Sequence, residues 1–301
     1  MEKIKLAENG PTFSRCVAGC MRLAEWGLKP SELQNWIQAC LEMGLTTFDH
    51  ADIYGDYTCE QLFGDALQSD PALREKMQLV TKCGIKLISG NRPDHSIKHY
   101  DTSKAHILSS VDNSLKMLKT DYIDLLLIHR PDPLMNADET AQALTQLQES
   151  GKVRHFGVSN FEPWQFELLA SRLEFPLVAY QVEISVLHLE AFEDGTFDFC
   201  QKLRVSPMAW SPFAGGSLFS SENERAVRVR TTLNSIGEEL GGVDIAQVAL
   251  AWLLNHPGKI LPVVGSGKIE RLRSYAEAAC LQLSREQWFA ILRASTGRDV
   301  A

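Results

Sequence analysis

The chain has 301 residues, a formal net charge of −8, and is 45% hydrophobic and 23% charged, an ordinary soluble composition. That acidic balance argues against nucleic-acid and membrane-surface partners, although a local basic cluster can still hold an anionic cofactor. Seven scattered cysteines without a C-x-x-C pair fit a reducing compartment better than a disulfide framework.

Met1-Glu2-Lys3-Ile4-Lys5-Leu6 lacks a secretory apolar region, and no apolar run is long enough to cross a bilayer, so a cytoplasmic protein is expected. The first residues predict a hairpin, Ile4–Ala7 with Thr12–Ser14, turned by Glu8-Asn9-Gly10. Ser31-Glu32-Leu33-Gln34 reads as a capping box for a helix running to about Met43, with Gly44 suited to its C′ position. Short apolar runs then predict strands over Cys16–Cys20, Thr46–Asp49, Gln78–Lys82, Tyr122–Ile128, His155–Ser159, Val178–Val182, Val205–Trp210 and Ile260–Val264. Helical patterns fall between and after them, at Thr58–Leu67, Ser103–Leu118, Asp138–Ser150, Pro163–Ser171, Phe192–Leu203, Glu222–Leu240, Asp244–Asn255 and Ser284–Ala294.

Eight strand–helix units predict an α/β fold, a (β/α)8 TIM barrel with an N-terminal hairpin. Nearly continuous apolar strands fit a sheet covered by helices. An open doubly wound sheet is the alternative, weakened by the missing G-x-G-x-x-G after the first strand. With no linker or repeat, residues 1–301 read as one domain. The longest connection, Gly84–Thr102, is expected to hang over the barrel mouth as a loop. Its His95-x-x-x-His99 lacks the glutamate and third ligand of a zinc site, so a solvated loop and no metal are expected.

In such a barrel, residues at the strand C-termini share one pocket. Asp49, Tyr54, Lys82 and His129 each follow an apolar run and together make a proton-transfer set. A free tyrosine, with a pKa near 10, exchanges protons poorly at neutrality, and an ammonium beside it pulls that value down. Lys82 is placed to do so for Tyr54, with Asp49 steadying Lys82 and His129 offering a hydrogen bond to a carbonyl oxygen. Taken alone, an Asp–Lys pair can simply fix strand register. Ser159 and Asn160 can cap the helix near Pro163, and Lys268 and Arg271 can be a solvated helix start.

These motifs resemble the aldo-keto reductase family over nearly the whole chain. The family's Asp, Ala and Tyr fall on Asp49, Ala51 and Tyr54, its lysine on Lys82 in Thr81-Lys82-Cys83, and its histidine on His129 in Leu126-Leu127-Ile128-His129-Arg130-Pro131. The resemblance implies an NADPH-dependent carbonyl reductase in which Tyr54 is the acid and His129 orients the carbonyl. It implies nicotinamide contacts from Ser159, Asn160 and Gln181 in and after Gly157-Val158-Ser159-Asn160-Phe161, and stacking by Trp210. Ser211 and Leu218 are expected over the pyrophosphate. Ser266, Lys268 and Arg271 in Val264-Gly265-Ser266-Gly267-Lys268-Ile269-Glu270-Arg271 are expected on the 2′-phosphate, with Met21, Gly265 and Gly267 also against the cofactor. Trp26 is expected in the substrate pocket.

Two positions depart from the family pattern: His50 stands where Thr is usual, and Trp210 where a tyrosine commonly stacks. A cofactor sensor of the same fold, like the potassium-channel β-subunits, is the alternative that the intact proton-transfer set disfavours. No tail follows the last helix, so an open pocket for a small carbonyl substrate is expected, with a monomer as the plausible state.

Overall fold

The computed structural model describes residues 1–68 and 70–300. Strands β1 (Lys3–Lys5) and β2 (Thr12–Ser14) pair antiparallel, with Ile4 opposite Phe13. Eight further strands close a parallel barrel: β3 (Val17–Gly19), β4 (Thr47–Asp49), β5 (Gln78–Cys83), β8 (Ile123–Ile128), β9 (Val153–Ser159), β10 (Leu177–Glu183), β11 (Pro207–Trp210) and β12 (Leu261–Val264). Between β5 and β8, two short strands, β6 (Ile85–Lys86) and β7 (His99–Tyr100), form a separate antiparallel ribbon. The barrel and hairpin match the sequence expectation.

The hairpin exists because it closes the barrel floor. Ile4, Leu6 and Phe13 are buried in one cluster with inward-facing Val17, Val80, Leu125, Leu127, Val178, Met208 and Leu261. Each such side chain contributes about 1.5–3 kcal/mol when removed from water. Strands β5 and β8 are buried along almost their whole length, as a sheet covered by helices requires. Outside the barrel, helices bury apolar stripes such as Leu33, Trp36, Ile37 and Cys40 of helix Pro30–Glu42. The floor is therefore filled, and the free space lies at the opposite end.

Several boundaries differ from the sequence reading. The first helix starts at Pro30, whose fixed φ suits a first helical position. The cap there is on Lys29, whose backbone N–H donates to Glu32 Oε2 at 2.8 Å, rather than on Ser31. Gly44 sits at φ 81° just past its end, as expected. The helix expected over Glu222–Leu240 runs over Glu224–Glu239, because Asn223 caps it by accepting from the Ala226 N–H, and a separate short turn, Ser217–Ser220, precedes it. Gly84–Thr102 is not a bare loop: Ile85 pairs with Tyr100 and Lys86 with His99, and Lys86 Nζ bonds Asp101 at 2.7 Å. His95 and His99 therefore do not share a helix; their Nδ1 atoms lie 2.9 Å from the carbonyls of Leu87 and Ile97 respectively.

Candidate active site

Parallel pairing places the ends of all eight barrel strands on one rim. Asp49 ends β4, and Ser159 and Trp210 end β9 and β11. Lys82 is the penultimate residue of β5, Gln181 lies near the end of β10, and His129 follows β8 directly. Tyr54 stands on the short turn Tyr54–Tyr57 after β4, which brings it back over the rim. The four residues of the expected proton-transfer set are thus brought together.

Lys82 is the hub. Its Nζ donates to Asp49 Oδ1 at 2.9 Å, Asp49 Oδ2 at 2.8 Å, the His50 carbonyl at 2.8 Å and Tyr54 Oη at 3.1 Å. Gln181 Nε2 adds a bond to Asp49 Oδ1 at 3.0 Å. The side chains of Lys82 and Asp49 are 0% and 3% exposed, so the pair is removed from water and geometrically complete. Tyr54 and His129 meet edge-on with ring centroids 6.0 Å apart.

Burial sets the protonation states here. It pushes the Tyr54 phenol above its ordinary value, and the neighbouring Lys82 cation pulls back without reversing the shift. The expected downward shift of Tyr54 is therefore corrected: depth of burial outweighs one ammonium. For Lys82, burial disfavours the charge, but Asp49 and Tyr54 overcome it and hold the ammonium above its usual range. Burial, then Lys82 and Arg130, hold the His129 imidazole well below its ordinary value, so it is neutral at physiological pH.

His50, the departure beside Asp49, is fully buried with neither ring nitrogen hydrogen-bonded, and its ring lies edge-on to Phe63 at 4.5 Å. Burial, then Lys82, brings its pKa down to about 3. It acts as packing and lends Lys82 only its backbone carbonyl. Trp210, the other departure, donates from Nε1 to Asn160 Oδ1 at 2.9 Å. Asn160, in the left-handed region at φ 59°, donates in turn to the His129 carbonyl at 3.2 Å and to Ser159 Oγ at 2.8 Å.

Above this rim opens a cavity of about 670 Å³, lined by Asp49, Tyr54, His129, Ser159, Asn160, Gln181 and Trp210, with Met21, Ser211, Gly265 and Arg271 also on its wall. Six other expected residues lie off that wall. Lys82 is sealed beneath Tyr54. Leu218 is fully buried in the cluster that includes Ala209 and Val229. Ser266 points its hydroxyl at the Lys268 N–H, 3.1 Å away, and with Gly267 and Lys268 forms the turn into helix Ile269–Glu277.

The sixth, Trp26, corrects the expectation of a substrate-pocket residue. Its ring lies 5.0 Å from Trp36 and covers Gly267, where a Cβ would fall 2.8 Å from the indole. Trp36 Nε1 also bonds the Ser266 carbonyl at 2.9 Å. Trp26 therefore buttresses the turn after β12 from behind. Sequence reasoning missed Arg22, Lys98, Tyr100, Arg130, Gly215 and Gly216, all on the cavity wall. Only Arg130 carried a signal, since it directly follows a strand-end histidine.

Among the described residues, no group of three or more His, Cys, Asp or Glu side chains is placed to hold a metal. No helix among them is long and apolar enough to cross a membrane. The sequence matches the Aldo/keto reductase family over residues 15–295. It is 51% identical to the uncharacterized oxidoreductase YcsN of Bacillus subtilis over 100% of both chains. It is also 46% identical to a 6-dehydroglucose reductase of Agrobacterium fabrum, again over 100% of both. Among solved structures, it superposes on a thermostable aldo-keto reductase crystallised with the inhibitor epalrestat, with a TM-score of 0.81 and 29% identity, covering 98% of this chain and 100% of that one. The chain belongs to the aldo/keto reductase family of oxidoreductases.

Proposed function

We propose that the protein reduces aldehydes or ketones to alcohols with NADPH, using Tyr54 as the proton donor. The observation that carries this is the contact of Lys82 Nζ with both Tyr54 Oη, at 3.1 Å, and Asp49, below an open cavity that Tyr54 and His129 line. A purely structural ion pair has no need to hold a phenol at the cavity surface. The raised Tyr54 value keeps its proton in place at neutral pH. Lys82 lies where it would stabilise the phenolate left after that proton moves to a carbonyl oxygen. Neutral His129 is suited to hold the same oxygen by a hydrogen bond rather than to protonate it.

The residues present fit a dinucleotide. Gly215 and Gly216, at φ 65° and 106°, lie on the cavity wall with nothing within 4 Å of where a Cβ would project, so backbone is open to a ligand there. Helix Ile269–Glu277 starts at Lys268 without a side-chain cap, which leaves first-turn N–H groups for phosphate. In this reading Ser159, Asn160, Gln181 and Trp210 hold the nicotinamide end. Met21, Ser211, Gly265 and Gly267 shape the path between, with Leu218 packed behind it, and Ser266, Lys268 and Arg271 hold the 2′-phosphate. When bound, NADPH supplies the hydride for the carbonyl carbon. The relative from Agrobacterium makes a sugar aldehyde the first substrate to try.

The test is turnover of a carbonyl panel followed by nicotinamide absorbance, with NADPH affinity measured separately. Tyr54→Phe is expected to lower kcat by at least ~100-fold, the scale of a lost general acid, with NADPH affinity unchanged. A variant that retains over half its turnover would refute the role. A wild type that binds NADPH and reduces nothing would favour a cofactor sensor instead.

A further inference from the structure

Five charged side chains line the cavity: Asp49 and four cations, Arg22, Lys98, Arg130 and Arg271. Asp49 is already neutralised by Lys82 from below. The wall is therefore strongly positive on a chain whose net charge is −8. The cations fall into two groups by position. Arg22 follows β3 and donates to the Gly215 carbonyl at 3.1 Å, and Arg271 belongs to the helix after β12. β12 and β3 are neighbours on the side assigned above to the dinucleotide's phosphates.

Lys98 and Arg130 are elsewhere. Lys98 precedes β7 in the connection after β5, and Arg130 follows β8, the strand that pairs with β5. Neither makes an ion pair or side-chain hydrogen bond among the described residues, whereas Lys86 on the same ribbon is paired to Asp101 at 2.7 Å. Arg130 lies only over the Trp210 ring, its Cζ 5.6 Å from the centroid. Glu183 feels the Arg130 charge and has His188 Nδ1 at 3.8 Å. Ile53, Ile85 and Tyr100 line the same cavity. Lys98 is exposed and Arg130 half-buried, both without an ion pair among the described residues, on connections after neighbouring strands that reach one cavity beside His129, so an anionic group bound there would meet two cations.

We infer that Lys98 and Arg130 form a subsite for an anionic group of the substrate. The substrate class is a short carbonyl compound carrying a carboxylate or phosphate away from its reacting carbon. This rests on the carbonyl-reductase reading above. Ile53 and Ile85 on the same wall suit the intervening carbons, and Lys98 with the Arg130 guanidinium takes the anionic end.

The test compares substrates matched in length and differing in charge, succinate semialdehyde against butanal and glucuronate against glucose. The wild type is expected to favour the anionic member by about tenfold in kcat/KM, the effect of one charge-assisted hydrogen bond, expressed mainly in KM. Arg130→Gln with Lys98→Gln is expected to bring that ratio to about one, while Arg130→Lys keeps most of it. Equal use of both members by the wild type, or an unchanged ratio in the double variant, overturns the subsite. If no carbonyl is reduced, the catalytic reading has failed rather than this one. Binding of succinate, followed by tryptophan fluorescence, then decides: loss in the double variant supports the subsite, and no binding to the wild type overturns it.

Discussion

Deleting the Lys82 ammonium tests how the rim is held together. Its Nζ lies 2.8 and 2.9 Å from the two Asp49 oxygens, and the side chains are 0% and 3% exposed. At an effective dielectric of about 20, unit charges that close attract by ~6 kcal/mol. Desolvation costs several kcal/mol per ion, so most of that attraction is offset and the intact pair adds little net stability. An orphaned carboxylate keeps the desolvation cost and loses the attraction. Lys82→Met is therefore expected to destabilise the protein by about 3–5 kcal/mol, as is Asp49→Leu. The double variant should cost far less than the sum, because no charge remains buried. Urea unfolding of all four proteins, followed by tryptophan fluorescence and circular dichroism, gives the coupling energy. A Lys82→Met loss below about 1 kcal/mol, or additive losses in the double variant, would refute this account.

Two further predictions follow from the site. Lys268→Ala with Arg271→Ala is expected to weaken NADPH at least ~10-fold more than NADH, the scale of lost charge-assisted bonds to one phosphate; equal weakening in titrations with both cofactors would remove the phosphate assignment. Burial raises the Asp52 carboxyl to about 8 and that of Glu60 to about 7, while Asp52 Oδ2 accepts from Ser110 Oγ at 2.8 Å. With unfolded values near 4, the folded state binds the extra protons, so these groups lower stability as pH rises from about 4 to 8. Asp52→Asn should therefore gain in Tm over the wild type across that window and level off above it, whereas parallel Tm curves would show that Asp52 does not titrate so.

The barrel was legible because each buried strand is a short run of apolar residues bounded by helix signals, and parallel topology turns sequence position into rim position. Asp49, Lys82 and His129 follow from that rule alone. Helix starts were less legible where two signals compete: Pro30 at a first helical position prevailed over the Ser31 capping pattern. The ribbon pairing Ile85 with Tyr100 escaped notice because the paired segments are short and separated by a polar stretch with no hairpin signature. Trp26 was misplaced because an aromatic after a strand end reads alike whether it faces the cavity or, as here, packs on Trp36. That Lys98 and Arg130 line one cavity could not be read from sequence, since only the β5–β8 neighbour relation brings their connections together.

The Tyr54 shift shows why a sequence can supply a catalytic set yet mislead about its tuning. Adjacency to Lys82 could be read from strand order, but depth of burial is a property of the assembled rim. Burial proves the larger of the two effects on Tyr54. The upward shift keeps the proton on Tyr54 but makes it a weaker acid than the expected downward one, so proton transfer would lean on Lys82 to stabilise the phenolate. A phenol that holds its proton at neutral pH is ready before the carbonyl is attacked, and no fraction of the protein is lost to phenolate. In the proposed reaction Lys82 would contribute most as negative charge leaves the substrate oxygen and appears on Tyr54 Oη, 3.1 Å from Nζ. An interaction that strengthens as the reaction proceeds lowers the barrier, whereas one equally strong beforehand does not. Burial also holds the His129 imidazole well below its ordinary value, so in the proposed reaction the two polar groups would divide the work, Tyr54 giving a proton and neutral His129 holding the oxygen in place.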